Sequence, residues 1–126
     1  MMKISIKTIP HKRQRYETSG DYWITKRGDM EIRVSEMKDW KEEALIAIHE
    51  IIELLLVKER GINIQEIEAF DIAFEKRRKE ADRGEPGDHK DAPYRKEHKF
   101  ATKIERLLAR ELGVDWEDYA GEAVKV

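Results

Sequence analysis

The chain has no cysteine among its 126 residues, which excludes disulfides and any zinc or iron–sulfur site built on thiolates. Net charge is also scarce, because 25 basic and 27 acidic side chains leave only −2. Such a balance offers no broad basic field for nucleic acid and no polybasic membrane anchor. The local basic runs, Lys12-Arg13-Gln14-Arg15 and Lys76-Arg77-Arg78-Lys79, are flanked by acids and read as solvated faces. No stretch reaches the ~18 consecutive apolar residues of a membrane span. The first residues hold no apolar run of signal-peptide length, so a soluble, cytoplasmic protein is expected. Proline occurs three times. Two of these, Pro86 and Pro93, fall with Gly84 and Gly87 in Arg83–Pro93, where the helical pattern should break.

What the chain does have is charge of both signs, 41% of its residues, and within it one conspicuously apolar segment. Ala44 to Val57 carries only three polar side chains, His49, Glu50 and Glu53, which marks a buried helix. Buried carboxylates are paired, or they shift their pKa. This cluster must be compensated by an arginine, a bound metal or a shared proton. His49 and Glu53 stand one helical turn apart and can aim at one point, with Glu50 at the edge of that face.

The length suits one domain spanning 1–126, β-rich over 1–38 and helical over 39–126. Lys3–Ile9 alternates, with Ile4 and Ile6 on one side, and Tyr22–Ile24 and Met30–Val34 flank a tight turn at Lys26–Asp29, which reads as a hairpin. Asp39 with Glu42 predicts the start of the first helix and Gly61 its end. Asn63 with Glu66 starts a second helix, running to about Ala81, with Ile62 and Ile67 as a staple. A third helix is expected from about Pro93 to Leu112, and Asp115 caps a short last one. The expected fold class is α+β: a small antiparallel sheet of about three strands, three main helices and a short C-terminal helix.

A histidine and a carboxylate at i, i+4 suit first-row metals. His98 on the third helix would supply a third ligand, giving a set of His49, Glu53 and His98. Glu50 would then be the general base acting on metal-bound water. Glu105, two turns beyond His98, would support a ligand from behind. Asp71 is a candidate extra ligand or supporting acid. Zinc is the first expectation for the ion, with iron, manganese and magnesium as alternatives. The substrate is not specified, and the aromatics Trp23, Trp40 and Trp116 read as packing anchors rather than platforms for bases.

The stretch His49-Glu50-Ile51-Ile52-Glu53, preceded by the strand Met30–Ser35, resembles the H-E-x-x-H helix of zincin metallopeptidases, with Glu53 where the second histidine belongs. The resemblance implies a metal-ligating His49, a basic Glu50 and hydrolysis of a peptide or other acyl bond. A peptidase of that kind would need an open strand edge beside the His49 helix. The whole chain also resembles small uncharacterised phage and prophage proteins, in Ala44–Leu55, Ala69-Phe70-Asp71, Gly84-Glu85-Pro86-Gly87-Asp88 and Glu97-His98 to Leu112. That likeness implies a phage-associated setting, such as the infected host cytoplasm, and no activity.

Other accounts use the same residues differently. Glu50-x-x-Glu53, fourteen residues, then Glu68-x-x-Asp71 resembles the carboxylate pattern of all-α nucleotide pyrophosphohydrolases, which implies Mg²⁺ held by four carboxylates on paired helices. A non-catalytic interaction protein with a protein partner is a further alternative. A purely structural account would pair Arg106 and Arg110 with Glu50 and Glu53 and leave His49 bonded to backbone.

Overall fold

The computed structural model describes residues 1–78 and 84–125. Three strands, β1 (Ile4–Ile9), β2 (Gly20–Ile24) and β3 (Met30–Ser35), form one sheet in the order β1-β3-β2. Four helices follow: α1 (Trp40–Glu59), α2 (Ile64–Arg77), α3 (Arg95–Leu112) and α4 (Trp116–Lys125). The class is α+β as expected, but the sheet is mixed rather than antiparallel. β2 and β3 form the predicted hairpin, with Tyr22 opposite Ile32, whereas β1 runs parallel to β3 with Ile6 opposite Ile32. The physical reason is connectivity. The hairpin occupies one edge of β3, so the segment 10–19 must cross over to let β1 dock on the other.

Helix ends follow their caps. The Asp39 carboxylate accepts from the Glu42 N–H at 3.0 Å, and Asn63 does the same for Glu66 at 3.0 Å. Gly61 ends α1 at φ 66°, a left-handed turn open to glycine at little cost. α2 ends at Arg77; the expected end at Ala81, with Lys79 and Arg83, lies outside the described residues.

α1 lies on β2 and β3 and packs lengthwise on α3 rather than on α2. The main core fills the space between sheet and helices: Tyr22, Met30, Ile32 and Val34 from the sheet meet Leu45, Ile46 and Leu54 of α1, Ala109 of α3 and Tyr119 of α4. A second cluster, Val57, Ile67, Ala92 and Tyr94, seats α2 against the start of α3. Ile4 and Ile6 do share a side, but the helical layer covers β2 and β3, and both stay about half exposed. Trp40 is not a packing anchor, since it is exposed at the start of α1. Trp23 is covered by the guanidinium groups of Arg15 and Arg33, and Trp116 by that of Arg106.

Candidate metal centre

The buried stripe of α1 runs Glu42, Leu45, Ile46, His49, Glu53, Leu54, Val57, the helical spacing that turns one face inward. His49 and Glu53 are therefore placed in the core by their apolar neighbours, between the sheet and α3. The facing stripe of α3 is His98, Ala101, Glu105 and Ala109. The two alanines keep that surface low, so the longer His98 and Glu105 side chains meet α1.

Three atoms converge there. His49 Nε2 lies 3.0 Å from Glu53 Oε2 and 3.1 Å from His98 Nδ1, and His98 Nδ1 lies 3.0 Å from Glu53 Oε2. Each is held from behind. His49 Nδ1 is 2.7 Å from Glu105 Oε1, whose other oxygen accepts from the Tyr119 hydroxyl. His98 Nε2 is 2.9 Å from Glu85 Oε2 and 3.4 Å from Asp88 Oδ1. The outer oxygen of Glu53 accepts from the Tyr22 hydroxyl at 2.7 Å. When each ring donates its outer N–H to a carboxylate, its inner nitrogen is left as an acceptor. Two nitrogens and a carboxylate oxygen then face one another, an arrangement that requires a cation at its centre or added protons.

Electrostatics agree. Burial alone would push the His49 pKa down, but the hydrogen bonds to Glu105 and Glu53 raise it well above the ordinary value. His98 is raised in the same way against its burial by Asp88, Glu53 and Glu85. Burial pushes the Glu53 carboxyl up, but the bonds from His49 and His98 outweigh it and hold the pKa at about 2. Without an ion, protons on the imidazoles carry the positive charge. The arginine account fails, because Arg106 and Arg110 are exposed on the far side of α3 and Arg106 lies over Trp116. Nor is His49 bonded to backbone; both its ring nitrogens face side chains.

A cavity of about 120 Å³ adjoins the three converging atoms, room for several waters or a small molecule at about 10–15 Å³ per water. Glu50 lines it. Burial and the neighbouring Glu53 charge push its carboxyl well up. Gly20 makes that position possible, since a Cβ there would sit 2.7 Å from Glu50 Cγ and 2.8 Å from Ile46 Cγ2.

Asp71 lines the same cavity but is not brought among the three converging atoms; Tyr94 donates to it at 2.6 Å and Tyr16 at 3.4 Å. Burial lifts its carboxyl to about 7 despite those hydrogen bonds. The folded protein thus keeps a proton that the unfolded chain releases near the ordinary value of 3.8. Stability contributed by this group is present at low pH and is lost as pH rises through about 7. The ion-free protein should lose about 2 kcal/mol between pH 5 and 8 through this residue. Asp71→Asn should flatten that part of the profile in denaturant unfolding; an unchanged slope would place the proton elsewhere.

Glu68 is held in an ion pair with Arg15. The four carboxylates of the pyrophosphohydrolase pattern line one cavity but form no ligand group among the described residues, and α2 is not the helix paired along α1. His89 lies against Phe70 and Phe74.

Of the residues that the sequence singles out, the structure brings His49, Glu53, His98 and Glu105 into contact and sets Glu50 on the cavity wall; the other groups behind them were not marked. A tyrosine at an inward strand position has a hydroxyl to satisfy, and that signal points to Tyr22. Glu85 and Asp88 sit in the glycine- and proline-rich loop, where no spacing marks an acid as the partner of a histidine. Gly87 is a closer constraint, because a Cβ there would lie 2.3 Å from His98 Cγ and 2.4 Å from Nδ1.

Comparison of the chain with protein-family models, with curated proteins and with solved structures finds no match. Among the described residues no helix is long and apolar enough to cross a membrane.

Proposed function

We propose that His49, Glu53 and His98 bind a divalent transition metal and that the protein is a metal-dependent hydrolase in which Glu50 accepts a proton from metal-activated water. The observation that carries this reading is the triangle of inward acceptor atoms, 3.0–3.1 Å on each edge. Donors about 2.1 Å from a first-row ion stand roughly 3.0–3.4 Å apart. The outer carboxylates on both histidines are the partners that metal-bound imidazoles use to fix their tautomer. Two nitrogen donors favour zinc, iron or manganese over magnesium, which prefers oxygen. Glu50 stands on the cavity wall beside the triangle, and burial with the neighbouring Glu53 raises its proton affinity, which strengthens it as a base.

The substrate in this reading is a small acyl compound rather than an extended peptide. β3 is paired along both edges, to β1 and to β2, so the strand that precedes α1 offers no free edge for a peptide. The adjoining cavity has the volume of a small molecule.

Metal content by mass spectrometry after dialysis tests the site. About one equivalent of zinc, iron or manganese is expected in the wild type and none in His49→Ala. Glu50→Gln should keep the metal and lose turnover of small esters and amides. Absence of metal from the wild type after growth in supplemented medium would sink the reading. Metal retained with no Glu50-dependent turnover would leave a binding site without hydrolysis.

A further inference from the structure

Among the described residues, the acids on the cavity wall outnumber the cations beside them. Asp21 and Glu68 share Arg15, the Asp21 pair at 2.7 and 3.0 Å. Glu75 holds Arg78 by two bonds of 2.7 Å, and Glu53, Glu85 and Glu105 face the histidines. Asp71 differs. It is 9% exposed, and the groups that reach it among the described residues are two phenols, Tyr94 at 2.6 Å and Tyr16 at 3.4 Å. Phenols orient a carboxylate but do not neutralise it. Each carboxylate oxygen keeps a lone pair for another donor, and both tyrosine rings also line the cavity. A buried acid flanked by aromatic rings, at a cavity that also holds the metal ligands, is the chemistry that receives an alkylammonium through charge and cation–π contact. Among the described residues no unpaired cation faces Asp71 on the cavity wall, so a phosphate or carboxylate there would have no charge partner.

Resting on the metal-site reading, we propose that the substrate carries a primary ammonium that docks on Asp71 beside Tyr16 and Tyr94, with the bond to be cleaved at the metal. The site would then be selective for amine-bearing esters or amides.

Alkyl hydroxamates test this, because the hydroxamate grips the metal while the far end of the chain reads the cavity. Zinc-loaded protein would be titrated with ω-amino hydroxamates of two to five methylenes and with the matched alkyl and ω-carboxy compounds. The best amine is expected to bind about tenfold tighter than its alkyl match and the carboxylate weaker than either. Asp71→Asn should bring the amine down to the alkyl affinity and leave the alkyl affinity unchanged, which also shows that the variant is folded. Equal affinities across the three classes would overturn the ammonium proposal and leave the metal site standing. Failure of every hydroxamate, with no zinc retained, would overturn the metal reading and the ammonium proposal with it.

Discussion

Zinc added to metal-free protein, at about a hundredfold excess over its dissociation constant, should raise the midpoint of thermal unfolding by about 10 °C. An ion that binds only the folded state at that excess contributes about 2.7 kcal/mol, and for a domain of this size each kcal/mol moves the midpoint by roughly 3–5 °C. The binding-competent triangle exists only when α1 and α3 are packed together, since its donors stand 4 and 49 positions apart in the chain. Glu53→Ala and His98→Ala should each abolish the zinc-dependent rise, whatever they do to the metal-free midpoint. Scanning calorimetry with and without zinc separates the two effects. Identical midpoints for the wild type under both conditions would mean that the three atoms hold protons and nothing more.

Gly87→Ala should weaken metal binding by about 10–100-fold, as loss of an outer partner of a ligating histidine does. Gly87 is not at a positive φ, so the backbone itself accepts alanine. The obstacle is space: the new methyl would overlap the His98 ring, whose Nδ1 is one of the three inner atoms. Either the ring turns, or the loop carrying Glu85 and Asp88 moves away and releases Nε2. Both outcomes spoil the triangle. Gly28→Ala is the matched control, with open space around it but φ at +92°; it should lose about 1 kcal/mol of stability through backbone strain and bind metal normally. A competition assay with a chromophoric chelator reads both variants. Wild-type affinity in Gly87→Ala would show that the loop does not govern His98.

The elements that the sequence makes legible are those whose determinants are local. Asp39, Asn63 and Gly61 mark helix ends through chemistry within a turn or two, and the apolar stripe of α1 brings His49 and Glu53 to one face without reference to the rest of the chain. Glu105 behind His49 could be anticipated from its spacing to His98 along a single helix. The direction of β1 could not, because parallel or antiparallel pairing depends on where a polar crossover of ten residues, 10–19, travels. Equally hidden were Tyr22 under Glu53 and Glu85 beside His98, contacts between residues 31 and 13 positions apart. Asp71 was visible as an acid near an inward face, yet its contact with Tyr94 depends on how α2 seats against the start of α3.

The His49 and His98 nitrogens that meet at 3.1 Å belong to residues 49 positions apart. A metal at that point would staple the middle of the chain to its last third in a molecule that has no cysteine to do so. Closing a loop of this length removes unfolded-state freedom worth about 4 kcal/mol in the chain-entropy treatment of cross-links. Unlike a disulfide, such a clasp is not opened by reduction but by acid or by a stronger chelator. Durability of the fold would then follow the metal supply of its surroundings rather than their redox poise.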